Sequence, residues 1–420
     1  MNAILISIGD ELLSGRTINT NAAWQGRALA GRGHTVSSAI IINDDRQTIA
    51  DAITKASHHA DVIFTTGGLG PTDDDLTRKA VCDLLDCDMG VDQEQRSLIQ
   101  QRFKELGREP NERSLRQARV PLACEVILNH WGTAPGLSFE LNNVPVYVLP
   151  GVPFEMRELF EHILENHLGS DDGFHEQVWL LHGLLESVLA ERLERIEHSM
   201  TEGLSLAYLP SAGTIRLRLI RKNSQETTLQ AFREASGRIE QAIEQWSVSS
   251  RDEGIAEALA RELRSRALTL ATAESCTGGL IGGALTDIPG SSHFYLGGVI
   301  SYANSVKAGV LDVESSILDS DGAVSERTVI QMAKGVLQRI PADYGVAVTG
   351  IAGPGGGTAD KPVGTVWIAV ASAHQLKAKL HHFKGERDII RQYTVNAGLA
   401  MVLRTIWEER EKQMEKSDSV

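Results

Sequence analysis

Short apolar runs alternate with amphipathic stretches over the first part of the chain. Ala3 to Ile8 reads as a strand, 21–32 as a helix, Val36 to Ile42 as a strand and 46–59 as a helix. Val62 to Thr66 is a continuous apolar strand that runs into Gly67-Gly68-Leu69-Gly70-Pro71. Val144 to Leu149 is another, stopped by Pro150-Gly151-Val152-Pro153. Alternating β and α patterns with short buried strands predict a doubly wound parallel sheet over 1–168. Residues 169–250 change character. A strand over Gln177 to Leu181, a helix over 186–199, a hairpin of Leu204 to Leu209 with Thr214 to Ile220, and a polar helix over 225–245 predict a small α+β module. Residues 251–414 return to α/β. A helix over 252–265 leads to a strand over Leu268 to Thr272 and a helix over 277–287. A strand over 294–302, a helix over 325–339, strands Tyr344 to Val348 and Thr365 to Ala371, and a last helix over 387–412 complete it. The tail from Glu415 to Val420 reads as disordered.

Composition narrows the class. The 420 residues are 42% hydrophobic and 23% charged, enough for an ordinary core in each domain. A formal net charge of -14 argues against a general nucleic-acid binder, which needs a basic face. No run has transmembrane length. The start reads as a first strand and not as a signal peptide. Cys82, Cys87, Cys124 and Cys276 form no C-x-x-C pair, which predicts reduced thiols and a cytoplasmic protein.

Candidate chemistry collects at predicted strand ends, where open α/β sheets bind ligands. In the first domain the clusters are Ile8-Gly9-Asp10-Glu11 and Thr66 to Asp75. Glycines let amides approach phosphate. The acids Asp10, Glu11, Asp74 and Asp75 suit a divalent metal set against a diphosphate. Thr72 and Asp75 equally fit a helix capping box. The usual P-loop and dinucleotide fingerprints are absent.

In the third domain, Ala273-Glu274-Ser275-Cys276-Thr277-Gly278-Gly279 turns from a strand into a helix. Ser275 there is either an N-cap or a nucleophile, with helix-start amides as an oxyanion site. Lys307, past the strand end at Tyr302, is either a surface lysine or a base whose pKa burial has lowered. Cys276 is a rival nucleophile, since a first-turn cysteine has a depressed pKa. A second glycine-rich loop spans Thr349 to Gly357, and Arg387 and Arg391 open the last helix.

Taken together these stretches resemble the CinA (competence/damage-inducible protein) family over the whole chain. The match rests on Gly9 to Gly15, Asn19-Thr20-Asn21, Thr66 to Thr72, Asp74-Asp75, Gly132 to Gly136, Leu149 to Pro153, Ala273 to Gly279, Tyr302-Ala303-Asn304, Lys307 and Gly350 to Gly356. The resemblance implies a molybdopterin-binding-like first domain, a KH-like middle module and a C-terminal α/β deamidase domain.

For the first domain it implies metal-dependent hydrolysis of ADP-ribose to AMP and ribose 5-phosphate. Gly67, Gly68, Gly70 and Thr72 would contact phosphate. Asp10, Asp44, Asp74 and Asp75 would hold a divalent cation (Mg, Mn or Co) or activate water. For the third domain it implies deamidation of nicotinamide mononucleotide (NMN) to nicotinate mononucleotide and ammonia, with no cofactor. Ser275 would be the nucleophile, Lys307 its general base and Tyr302 an assistant. Thr277, Gly278, Gly279, Asn304, Thr349, Gly350, Gly353, Gly355 and Arg387 would surround the substrate.

Both activities belong to pyridine-nucleotide salvage. A homodimer or higher homo-oligomer is implied as well. The middle module has no G-x-x-G clamp and is not basic, so it reads as a spacer or dimerisation element and not an RNA binder. Two rival readings come with the family: a non-catalytic binding protein linked to competence or DNA damage, and a molybdopterin binder.

Overall fold

The computed structural model of the chain describes residues 1–72, 75–169, 173–222 and 225–417. Asp74 lies outside the described residues. The chain divides into two compact units. Met1–His175 forms the first, and Glu176–Arg221 with the chain from Gln225 onward forms the second.

In the first unit, β1 (Asn2–Ile8), α1 (Asp10–Leu13), α2 (Thr20–Ala30), β2 (Thr35–Ile42), α3 (Arg46–Ala56), β3 (Val62–Thr66) and α4 (Thr77–Leu85) follow in order. Next come β4 (Met89–Val91), α5 (Gln93–Glu105), α6 (Glu112–Arg116) and β5 (Arg119–Pro121). Then β6 (Glu125–Ile127), β7 (Gly136–Leu141), β8 (Val144–Leu149) and α7 (Pro153–Ile163) complete the unit. The main sheet runs β2-β1-β3-β8-β7-β6. Its first four strands are parallel, and β7 and β6 extend it antiparallel.

Strand alternation sorts the core onto two faces. Ile4, Ile6, Ile63, Val146 and Val148 meet Ile49 and Ile53 of α3 and Val81 of α4. Leu5, Val62, Phe64 and Leu149 point the other way, onto Leu29 of α2 and Met156, Leu159 and Phe160 of α7. Each large side chain so buried contributes about 1.5–3 kcal/mol, which pins the register against a one-residue slip. Asn19 and Asp45 cap α2 and α3 by accepting from the amides of Ala22 and Thr48. Both helices therefore begin just beyond the carboxyl ends of β1 and β2.

The second unit opens with β9 (Phe174–His182), α8 (Glu186–His198), β10 (Leu204–Ser211), β11 (Thr214–Lys222), α9 (Glu226–Ile243) and β12 (Ser247–Ser249). Its four strands order as β10-β11-β9-β12, and α8 and α9 cover Trp179, Leu181, Leu217 and Leu219. The unit continues with α10 (Ile255–Ser265), β13 (Leu270–Glu274), α11 (Leu280–Thr286), β14 (Tyr295–Ile300) and α12 (Asn304–Leu311). It ends with α13 (Ser315–Ser320), α14 (Glu326–Arg339), β15 (Tyr344–Gly350), β16 (Thr365–Ser372), β17 (Leu376–His382) and α15 (Arg387–Ser417).

This second sheet runs β14-β13-β15-β16-β17, with β14, β13 and β15 parallel and the last two antiparallel. One face carries Leu270, Val346, Val348 and Ile368 against α10 and α15. The other carries alanines 271, 273, 347, 369 and 371, so α14 can lie close.

Three of the boundaries that differ from the sequence reading bear on the Ser275 site and the tail. Strand β13 runs two residues further, so Glu274 is its last residue. Helix α11 starts at Leu280 and not at 277, because Gly278 and Gly279 adopt φ of 61° and 97°, outside the right-handed helical region. Helix α15 continues to Ser417, so Glu415 is helical and not part of a disordered tail. Asp418, Ser419 and Val420 lie outside the described residues.

Candidate active sites

Ser275 and Lys307 come together at the carboxyl ends of β13 and β14. The Ser275 amide donates to Val348 O, which anchors the turn to β15. Lys307, in the second turn of α12, is only 1% exposed and Ser275 only 8%. The Lys307 Nζ lies 3.1 Å from Ser275 Oγ, 2.7 Å from Ser301 O and 3.2 Å from Tyr302 O. Burial pushes the Lys307 pKa below the ordinary lysine range. A neutral amine has two N–H groups and one lone pair. The two carbonyls can only accept, so they take both N–H groups, and the lone pair is left for the one partner that can donate, the serine hydroxyl.

Glu274, 1% exposed, fills the start of α11. Its carboxylate accepts from the amides of Gly279, Ile281 and Gly282 at 3.0, 3.0 and 2.8 Å. This corrects the expectation that the helix-start amides serve an oxyanion, since those groups are occupied. The amides of Cys276 and Thr277 reach no oxygen acceptor among the described residues and lie against the Cys276 sulfur, and Thr277 Oγ1 is buried without a partner. These are the donors beside Ser275 that no oxygen takes up among the described residues. Cys276 is also corrected: burial drives its thiol up to about 12, opposite to the first-turn expectation.

The remaining residues divide. The Tyr302 ring is 61% exposed and its hydroxyl accepts from Arg387 Nη2 at 3.2 Å, so Tyr302 meets Lys307 through its carbonyl and not its phenol. Arg387 also donates to Gly353 O at 2.7 Å, tying the glycine loop to α15. Arg391 donates to Thr277 O at 2.7 Å beside Gly278. Asn304 is the exposed first residue of α12. Thr349 is turned away, donating to Ala323 O at 2.7 Å. Gly350 gives β16 room, because a Cβ there would stand 2.6 Å from Val366. Gly355 is open, with nothing within 4 Å of its Cβ position. Glu274 and Ser301 escaped the sequence reading. A carboxylate immediately before the turn and its two glycines was a signal for the first. Ser301 acts through a backbone carbonyl, which carries no residue signature.

In the first unit a cavity of about 410 Å³ opens at the ends of β1 and β3, lined among others by Glu11, Asn21, Asp44, Gly68 and Asp75. Gly67 and Gly68 have φ of 117° and 65°. A Cβ on Gly67 would lie 2.3 Å from Ile8 O, and one on Gly68 would lie 2.1 Å from Thr77 Oγ1. The Gly67 amide is bound to Leu149 O and the Gly70 amide to Asp75, so of the three glycines among the four expected phosphate contacts only Gly68 has a free amide among the described residues. Asp75 closes its own loop, accepting from Gly70 N, Thr72 N and Thr72 Oγ1 at 2.8, 2.8 and 2.5 Å. Thr72 therefore faces Asp75 and does not line this cavity, and no helix begins there: α4 starts at Thr77.

Asp10 also stands outside the cavity lining, while its amide donates to Asp44 at 3.3 Å. The Asp44 carboxyl is pushed above the usual range, first by burial and then by the charges of Asp10, Glu11 and Asp75. Among the described residues no three His, Cys, Asp or Glu side chains form a metal cage, and no helix is long and apolar enough to cross a membrane.

Fold and sites together define a modular α/β protein: a doubly wound domain with an acid-lined cavity, a small α+β module, and a second α/β domain with a buried Ser–Lys pair. Family comparison agrees with that order. The chain matches the "Probable molybdopterin binding domain" over 4–169, the "Damage-inducible protein CinA KH domain" over 177–247 and the "CinA C-terminal domain" over 252–406. A CinA-like protein of Salinibacter ruber is 37% identical over 410 residues, spanning 97% of this chain and 100% of the relative. One from Frankia casuarinae is 39% identical, spanning 97% and 96%. The crystal structure of competence/damage inducible protein CihA from Agrobacterium tumefaciens is 43% identical over 37% of this chain and 98% of that one, with a TM-score of 0.35. The chain belongs to the CinA family.

Proposed function

We propose that the second unit is a Ser/Lys amidohydrolase acting on the carboxamide of NMN, a nicotinamide-nucleotide amidase of pyridine-nucleotide salvage. The observation that carries it is the set of three partners around Lys307 Nζ, two carbonyls and one hydroxyl, in a buried site that favours the neutral amine. Lys307 takes the Ser275 proton as Oγ attacks the carboxamide carbon. The oxyanion that forms is met by the amides of Cys276 and Thr277. Lys307 then gives its proton to the departing nitrogen, and ammonia leaves. Water, deprotonated by Lys307, splits the acyl-serine to nicotinate mononucleotide and regenerates the hydroxyl. Arg387 and Arg391 supply cationic groups at the same end of the sheet, suited to the ribose phosphate.

The test is ammonia release from NMN by the full chain beside Ser275→Ala and Lys307→Ala. The reading predicts turnover by the wild type and loss of about two to four orders of magnitude in each variant. A folded wild type that releases no ammonia, or a Ser275→Ala chain that still does, rejects it in favour of a binding protein.

The raised Asp44 carboxyl favours a second activity, metal-dependent hydrolysis of ADP-ribose in the first unit. Glu11 and Asp44 would hold the divalent cation. One or two protein carboxylates would suffice to hold it, and when bound it would supply Lewis-acid stabilisation of the phosphoryl oxygens. The free Gly68 amide would contact a phosphate oxygen. AMP formation from ADP-ribose that is lost in Asp44→Asn tests this. A tightly copurifying pterin with no AMP formation would favour the molybdopterin-binder reading.

A further inference from the structure

Asp75 lines two cavities of different character. One is the acid-lined cavity. The other is a second cavity of about 260 Å³, whose lining includes Thr72, Asp75, Arg78, Lys79, Arg116 and Arg119. Four cations from three elements, α4, α6 and β5, converge there in a chain that carries 41 basic against 55 acidic residues. Among the described residues Asp75 is the one acid in that lining, and both its oxygens already accept from Gly70 and Thr72. Arg78 is buried and held in place by Gly70 O at 2.9 Å and Gln117 O at 3.4 Å. Lys79 and Arg119 are exposed, and no ion pair engages Arg78, Lys79 or Arg119 among the described residues. Arg116 already has an interaction of its own. Lys79 stands in the first turn of α4, a helix whose N-cap, Leu76, offers no side-chain acceptor.

We infer that this second cavity binds a phosphate group, free or as a phosphate monoester. A fixed guanidinium, a second guanidinium and an ammonium supply the donors and the charge that a tetrahedral dianion needs. Glu11 and Asp44 line the other cavity. The inference stands apart from both proposed activities, because it uses neither the acid-lined cavity nor the Ser275 site.

The test is calorimetric titration of the full chain with inorganic phosphate in EDTA, which removes any metal-dependent binding at the acid-lined cavity. Saturable binding is expected, weakened about tenfold or more in a Lys79→Ala/Arg119→Ala double variant and unchanged in Asp44→Asn. Both substituted side chains are exposed, so the fold survives their loss. Displacement of phosphate by glycerol phosphate assigns the site to monoesters, and failure to displace it assigns the site to the free ion. Binding that the double variant leaves intact overturns the inference. So does an absence of saturable phosphate binding in the wild type.

Discussion

Replacing Glu274 by alanine removes the carboxylate that holds the start of α11. Three amides, those of Gly279, Ile281 and Gly282, lose their acceptor at once, and two of the three bonds are fully buried. A bond to a charged acceptor contributes about 1.5–3 kcal/mol, and each buried donor left bare costs about 1–3 kcal/mol. Desolvation of the carboxylate, which ends with its removal, offsets part of this. The net loss is about 3–4 kcal/mol, large for a single substitution. For a unit of this size that lowers Tm by about 6–16 °C. Glu274→Gln keeps one acceptor oxygen but turns an amino group toward amide donors, so it falls between the two.

Scanning calorimetry of the full chain, following the transition of the second unit, reads the effect. A Glu274→Ala shift under about 2 °C would refute the capping role, because even one bare buried donor costs more. It would return the helix-start amides to the list of oxyanion donors.

Other consequences can be measured separately. Gly67→Ala forces a side chain into φ of 117° with its Cβ 2.3 Å from Ile8 O, so the first unit should lose more than about 2 kcal/mol and its cavity, read by urea unfolding and AMP formation. Asp44→Asn should raise the Tm of the first unit at neutral pH in EDTA. The raised folded pKa means the ionised form is penalised in the native state above that pKa, and the advantage of Asn should vanish as pH falls below the ordinary value of about 3.9. Cys276, with its thiol pushed up to about 12, should resist iodoacetamide at neutral pH in the folded chain, and Cys276→Ala should leave ammonia release within about twofold.

The core was legible because its strands carry side chains of one type at one spacing. Ile4, Ile6 and Ile8 read as a strand face from the sequence and pack as one. The Ser275–Lys307 pair was legible as two motifs 32 residues apart, and parallel pairing of β13 with β14 brings their ends together. What stayed hidden runs through the backbone. Ser301 and Tyr302 hold Lys307 by carbonyls, which every residue has. Thr72 and Asp75 carry the spacing of a capping box, yet they close a loop two residues before α4 starts. The antiparallel strands β6 and β7 are short and lack the βα alternation that announced the parallel ones. Glu274 was visible in sequence, but its role depends on where α11 begins, which two left-handed glycines decide.

The measurement that bears most directly on the central claim is the pH dependence of kcat/KM for ammonia release from NMN. If Lys307 is the buried base, activity rises with pH through a single limb placed below the ordinary lysine value of about 10.4. That limb disappears with Lys307→Ala. A limb that persists in Lys307→Ala, or one that lies at the ordinary lysine value, would contradict the account.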